Sequence, residues 1–211
     1  WTEDVDVAPG PVAGNTQDRL YWTGEGGDSG FPRMSIDTAI INTGGSGKYP
    51  RTSYRLGIPA PENTPTASIA SGSDDGTQTK FSTSYVYTFV SGFGEEGPPS
   101  AASTVLTKVD AQTVTVANMS TSAGSGTSRS NTNITKKRIY RSNTGSNTTA
   151  FQFVGEVNLS ATTFTDSTTN ANLGELIPST FWIAPPDEDS SLYPNGQMRG
   201  LTSMPNGIFA G

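Results

Sequence analysis

The chain has 211 residues, a formal net charge of −6 and 32% hydrophobic residues, with 24 glycines, 14 prolines, no cysteine and no histidine. The two zeros remove disulfides, thiol nucleophiles and thiolate metal sites, together with the commonest general base and imidazole ligand. The acidic balance removes a broad basic surface for nucleic acid, and no apolar run approaches the length of a transmembrane helix. The length admits one large β-domain, or a module of about 100 residues with flanking segments. No 3.6-residue apolar stripe appears, and frequent Gly and Pro separate short β-prone runs, so the expected class is all-β. Repeated aromatic strands and a charged fraction of only 15% argue against disorder. The chain opens on Trp1 without Met or a signal-peptide pattern and stops at Ile208-Phe209-Ala210-Gly211, which reads as a strand. It therefore reads as a window onto a longer polypeptide.

Residues 1–18 mix acids, Pro and Gly without periodicity and read as an extended arm. Residues 19–23 (Arg-Leu-Tyr-Trp-Thr) form a short strand candidate, and residues 31–35 its hairpin partner across a Gly-rich turn. Residues 54–58 lead into Pro59, Pro61 and Pro65, a stiff connector that closes a first segment, 1–65. A compact module follows over 66–170. Its signature is residues 85–91, where Tyr85, Tyr87, Phe89 and Ser91 alternate with Val86, Thr88 and Val90, as one aromatic face of a strand requires. A Gly- and Pro-rich corner ends it. Residues 104–108 and 113–117 are β-branched runs, 120–131 a Gly/Ser/Thr-rich loop, and 136–141, 151–157 and 162–165 further strands. Beyond 170 comes an aromatic, Pro-terminated segment with Phe181 and Trp182. Two Pro-Asn-Gly turns at 194–196 and 205–207 suggest the first hairpins of another β-domain within 171–211.

Several short patterns imitate sites. Gly27-Asp28-Ser29-Gly30 mimics a protease nucleophile loop, but no His exists to take the serine proton. Gly24-x-Gly26 and Gly45-x-Gly47-Lys48 lack the spacing of phosphate loops and read as turns. Asp74-Asp75 and Asp187-Glu188-Asp189 match no calcium loop and read as solvated acids. Glu95-Glu96 has no partner carboxylate for glycoside hydrolysis, and adjacent side chains on a corner point apart. The basic run Lys136, Lys137, Arg138 and Arg141 reads as an edge strand protected by charge. Catalytic, cofactor and metal residues are therefore expected to be absent. Trp22, Phe181 and Trp182 are candidate interface anchors, with core packing the equal alternative.

The aromatic-x-aromatic run with its Gly-Pro-Pro-Ser exit resembles the penultimate strand of a fibronectin type III (immunoglobulin-like) β-sandwich. In that family the Lys-Arg-Ile-Tyr-Arg-Ser type of strand comes in the middle, the Thr-Thr-Phe-Thr-Asp-Ser type next, and the Tyr-x-Tyr strand after it. Here Tyr85-x-Tyr87 comes first, so the resemblance implies either one sandwich in permuted strand order or a window across an unusual arrangement of strands. The first is preferred, because nothing after Asp166 resembles a second Tyr-x-Tyr strand. By the same analogy Tyr85 would be the corner tyrosine bonding nearby backbone.

Three segments together resemble structural proteins of tailed-bacteriophage virions: residues 19–24 with 31–33 and 54–61, the sandwich-like module, and 181–211. The resemblance implies a tail component such as a nozzle, tip or neck, present in several copies. Its partners would be copies of itself and other virion proteins, with DNA only in passing through a tail channel. The expected function is structural and non-enzymatic. A receptor- or glycan-binding module of a fibre or bacterial surface protein is the rival, and a polysaccharide-degrading enzyme using carboxylates alone is the third reading.

Overall fold

The computed structural model describes residues 5–10, 19–23, 33–36, 53–124, 132–144, 149–178, 200–203 and 209–210. The chain is all-β: every described element is a strand, apart from one 3-10 turn at Asn170–Asn172. It divides into two compact units, one of Trp1–Gly57, Ser125–Asn133 and Ala184–Gly211, the other of Ile58–Gly124 and Ile134–Ile183.

The first unit carries a four-stranded antiparallel sheet in the order β1 (Asp6–Pro9), β2 (Arg19–Thr23), β3 (Arg33–Ile36), β4 (Tyr54–Arg55). The expected hairpin between 19–23 and 31–35 is present as β2 and β3, with Leu20 opposite Ser35 and Tyr21 opposite Met34. The segment read as an arm is partly structured: Asp6–Pro9 pairs with β2 along its whole length. Backbone donors that find a strand within reach do not stay solvated when pairing also covers an apolar residue, here Ala8.

In the second unit the strands in chain order are β5 (Thr66–Ser71), β6 (Lys80–Thr83), β7 (Tyr85–Ser91), β8 (Leu106–Val109), β9 (Thr113–Ala117), β10 (Ile134–Thr144), β11 (Thr149–Asn158) and β12 (Phe164–Asp166). They make two three-stranded antiparallel sheets, β11-β10-β7 and β12-β9-β5, and a β6-β8 pair. The inward faces share one core: Tyr85, Tyr87 and Phe89 of β7 and Ile139 of β10 meet Val114 and Val116 of β9, with Ile58 and Met119 closing the ends. This is a β-sandwich, and the aromatic face read from β7 is its centre. The ring planes of Tyr87 and Phe89 stand at 81° with centroids 6.1 Å apart, the edge-to-face arrangement aromatic quadrupoles favour.

The ring of Phe164 of β12 lies against Gly155 of β11. A Cβ on Gly155 would sit 2.4 Å from the ring Cζ, so only glycine leaves room for the ring. Both outer edges of the β11-β10-β7 sheet are covered by other parts of the chain. The outer edge of β7 receives residues 97–103 through bonds from Gly97, Ser100 and Ser103 amides to the Phe89, Tyr87 and Tyr85 carbonyls. The outer edge of β11 receives residues 174–177 in the same way at Phe151 and Phe153. Back in the first unit, the third segment adds the β13 (Thr202–Ser203) and β14 (Phe209–Ala210) hairpin, and the Gly200 amide donates to the Asp6 carboxylate at 2.7 Å, across 194 residues of sequence.

Candidate functional site

The chemistry-bearing side chains of the sandwich gather in two places, one inside and one on the outer face of the β11-β10-β7 sheet. Both are built on β10. This strand runs between β7 and β11, which corrects the reading of its basic run as a protected edge. Period-two alternation sends Lys137, Ile139 and Arg141 toward the core and Lys136, Arg138 and Tyr140 to the other face.

Inside, Arg141 and Asp166 form an ion pair at 2.7 Å with no exposure of either side chain. The same Asp166 Oδ2 accepts the Tyr85 hydroxyl at 2.8 Å, and Asp166 Oδ1 accepts the Thr168 amide at 2.9 Å. Arg141 Nη1 also donates to the Thr168 carbonyl at 2.8 Å and Nη2 to Asn170 Oδ1 at 3.0 Å, while its buried Nε has no acceptor among the described residues. Burial, reinforced by the Asp166 charge, pushes the Tyr85 hydroxyl far above its usual range, so it stays a donor. The acceptor corrects the sequence reading of Tyr85 as a tyrosine bonding nearby backbone: it is a carboxylate 81 residues away. The tyrosine that engages backbone is Tyr87, whose hydroxyl donates to the Asn63 carbonyl at 3.1 Å and accepts the Ser120 amide at 2.9 Å.

Two further buried cations flank this network. Lys137 Nζ donates to the Ser120 carbonyl at 2.7 Å and to the Ala161 carbonyl, and burial pushes its ammonium down to about 8. Lys108 is buried with its Nζ 5.5 Å from the centre of the Phe81 ring and no hydrogen-bond acceptor among the described residues. Burial, and then the neighbouring Arg141 charge, lower its affinity for a proton.

On the outer face a polar groove of about 330 Å³ is bordered by Ser91, Gly94, Glu96, Lys136, Arg138 and Glu156. Glu96 is held by three donors: Thr88 Oγ1 and Tyr140 OH, each at 2.6 Å, and Arg138 Nη1 at 3.3 Å. Arg138 also meets Glu175 at 2.9 Å and Glu156 at 3.4 Å, and its guanidinium lies 5.2 Å from the Phe153 ring centre. A hydrogen bond from Lys136 at 2.7 Å holds the Glu156 carboxyl below its usual range. Burial, followed by the hydrogen bond to Glu96, pushes Tyr140 well above its own. Each of these carboxylates is engaged by a cation: Glu96 and Glu175 by Arg138, and Glu156 by Lys136 and Arg138.

The expected separation of Glu95 from Glu96 is present: Glu95 takes the Ser91 hydroxyl at 2.9 Å, while Glu96 serves Thr88, Tyr140 and Arg138. Asp74 caps its own loop through the Gly76 amide at 2.8 Å and pairs with Lys80 at 2.6 Å. Among the described residues no group of three or more acids, His or Cys could hold a metal ion. Trp22 is 1% exposed. Phe181, Trp182, the acids at 187–189, the serine loop at 27–30 and the glycines at 24, 26, 45 and 47 lie outside the described residues.

Sequence reasoning missed both sets, Asp166 with Arg141 inside the sandwich and Glu96 with Arg138 and Tyr140 on its outer face. The usable signal was Arg141 and Lys137 at the same parity as Ile139, which puts cations where a core face needs apolar groups and so demands a buried acceptor. No protein-family model matches the chain, and no curated protein matches it in sequence.

Proposed function

We propose that this chain is a structural, non-enzymatic component of a bacteriophage virion, placed in the tail at a nozzle, tip or neck. It works by packing against copies of itself and other virion proteins through β-mediated contacts. The observation that carries the mechanical half of this reading is where the sandwich spends its charge. Arg141 is paired with Asp166 and Arg138 with Glu96, and each pair braces strands of the sandwich. The phage half rests on the resemblance of residues 19–24 with 31–33 and 54–61, the sandwich-like module and 181–211 to tail proteins.

The second unit is further proposed to be a fibronectin type III-like sandwich in permuted order. Support comes from β10 lying between β7 and β11 while β12 sits in the opposite sheet, with β7 nevertheless preceding them all in sequence except β5 and β6. The rival glycan-binding reading draws less support. The outer groove has no aromatic platform among its described lining residues, and aromatic stacking is the usual means of gripping a sugar ring.

The test is a cryo-EM reconstruction of the native particle that contains the chain. A symmetric ring about a tail axis supports the structural role. A peripheral, singly attached domain gripping a glycan overturns it.

A further inference from the structure

Two of the four outer edges of this sandwich are covered by the chain itself and a third is short. Residues 97–103 cover β7, residues 174–177 cover β11, and β12 is only three residues long with its last side chain, Asp166, buried. The fourth edge is β5, six residues reading Thr-Ala-Ser-Ile-Ala-Ser. Among the described residues, its backbone is paired on one side only, to β9, and its one side-chain bond is Ser71 Oγ to Thr113 Oγ1 at 2.7 Å. The strand carries no charge and no proline, and its side chains are exposed except Ala67. Ile69 is 37% exposed beside the core. Edge strands are ordinarily blunted by Lys, Pro or a covering loop. The bulge between Ile69 and Ser71 is the only such device here.

We infer that β5 is a pairing edge for β5 of a second copy of this chain, extending the β12-β9-β5 sheet across a two-fold axis. The argument is self-complementarity, which an isologous contact requires. Strand β9, the partner β5 already accepts, alternates Val114 and Val116 on the core face with Thr113 and Thr115 on the outer face. Strand β5 repeats that pattern, with Ala67 and Ile69 on the core side and Thr66 and Ser68 outward. An antiparallel pair centred on Ser68 sets Ala67 against Ile69 of the other copy and Ile69 against Ala67, small against large on the same face. Ser68 meets Ser68 outside, a hydroxyl pair of the kind that stabilises cross-strand contacts. No charge is brought to the strand interface, so the acidic net charge of each copy is not concentrated there. A single strand edge is smaller than the roughly 800 Å² per partner of a stable interface. Isolated chains therefore associate weakly, and the contact becomes firm when other surfaces hold the copies together. The inference deepens the proposed role as a packed subunit and rests on it for biological meaning.

The experiment uses the full chain, which has no native cysteine to interfere. Sedimentation is followed up to about 1 mM, the range in which a contact of about −4 kcal/mol is visible, for the parent, Ser68→Lys and Thr66→Lys. In parallel, Ser68→Cys and the exposed control Thr104→Cys are oxidised under mild conditions. The expected result is reversible dimerisation lost in both lysine variants with unchanged unfolding midpoints, and disulfide dimers of Ser68→Cys forming about tenfold faster than the control, as pre-association implies. A monomer at every concentration with equal cross-linking overturns the inference, as does a dimer that survives both lysines. If one lysine variant fails to fold, the other and the cross-linking ratio decide. Virions that assemble normally with Ser68→Lys retire the edge and leave the virion role standing. A β5-dependent dimer of a protein that is absent from purified virions retires that role and leaves the edge.

Discussion

Arg141 of β10 and Asp166 of β12 meet at 2.7 Å across the interior of the sandwich, so one ion pair ties the two sheets together. Tyr85 of β7 makes a second tie to the same carboxylate. Removing one partner of a buried pair leaves the other charged and unpaired, which typically costs about 3–5 kcal/mol. Asp166→Ala is expected to lose that much in urea unfolding. Tyr85→Phe, which removes one bond to a charged acceptor and leaves no cavity, should lose only about 1.5–3 kcal/mol. Equal losses would mean that Asp166 acts through Tyr85 alone.

Lys137 gives the stability of the sandwich a pH signature. Its ordinary value in the unfolded chain is 10.5, and burial brings it to about 8 when folded. Between those values the unfolded state binds more protons, so stability rises with pH across that window and the cost of burying the ammonium is fully present below it. Unfolding midpoints taken from pH 7.5 to 10 should therefore climb in the parent relative to Lys137→Met. Parallel pH profiles for the two proteins would refute the assignment.

Gly155 is required by the ring of Phe164 above it. Gly155→Ala forces that ring to move in a packed layer, an overpacking change expected to cost about 1–3 kcal/mol. Trimming the ring should relieve it, so Gly155→Ala combined with Phe164→Leu is expected to lose less than the sum of the single changes. Strict additivity in a double-mutant cycle would show that the two residues do not contact.

The outer-face groove separates a buried brace from a surface pair. Glu96 is only 12% exposed and holds Thr88, Tyr140 and Arg138, so Glu96→Ala strands three donors and should cost about 1–3 kcal/mol. Lys136 is half-exposed beside Glu156, and Lys136→Ala should cost less than about 1 kcal/mol. Chemical denaturation of the two variants ranks them directly, and a reversed order would place the brace elsewhere.

What could be seen in the sequence followed the residue types that obey period two. The Tyr85, Tyr87 and Phe89 face, the hairpin of 19–23 with its neighbour and the all-β class were legible because aromatic and β-branched residues alternate there. The position of β10 was not. Lys137 and Arg141 on a buried face break the hydrophobic pattern, and a local reading assigns such charges to solvent. Their burial depends on Asp166, Ser120 and Ala161, each supplied from a distant part of the chain. The strand at Asp6–Pro9 was hidden for the same reason, since its pairing depends on β2 rather than on its own composition.

The bond between Asp6 and Gly200 orders events in time. Synthesis at about 5–20 residues per second delivers Gly200 roughly 10–40 s after Asp6. The sandwich has all its strands by Asp166 and can close on local pairings such as the β10-β11 hairpin. The first unit has to wait for its last segment, because contacts this distant in sequence form slowly. During that interval the β1-β2-β3-β4 sheet that carries Tyr21 and Trp22 stands without the β13-β14 hairpin. Nascent chains stalled before residue 200 should therefore present a protease-resistant sandwich beside a cleavable first unit.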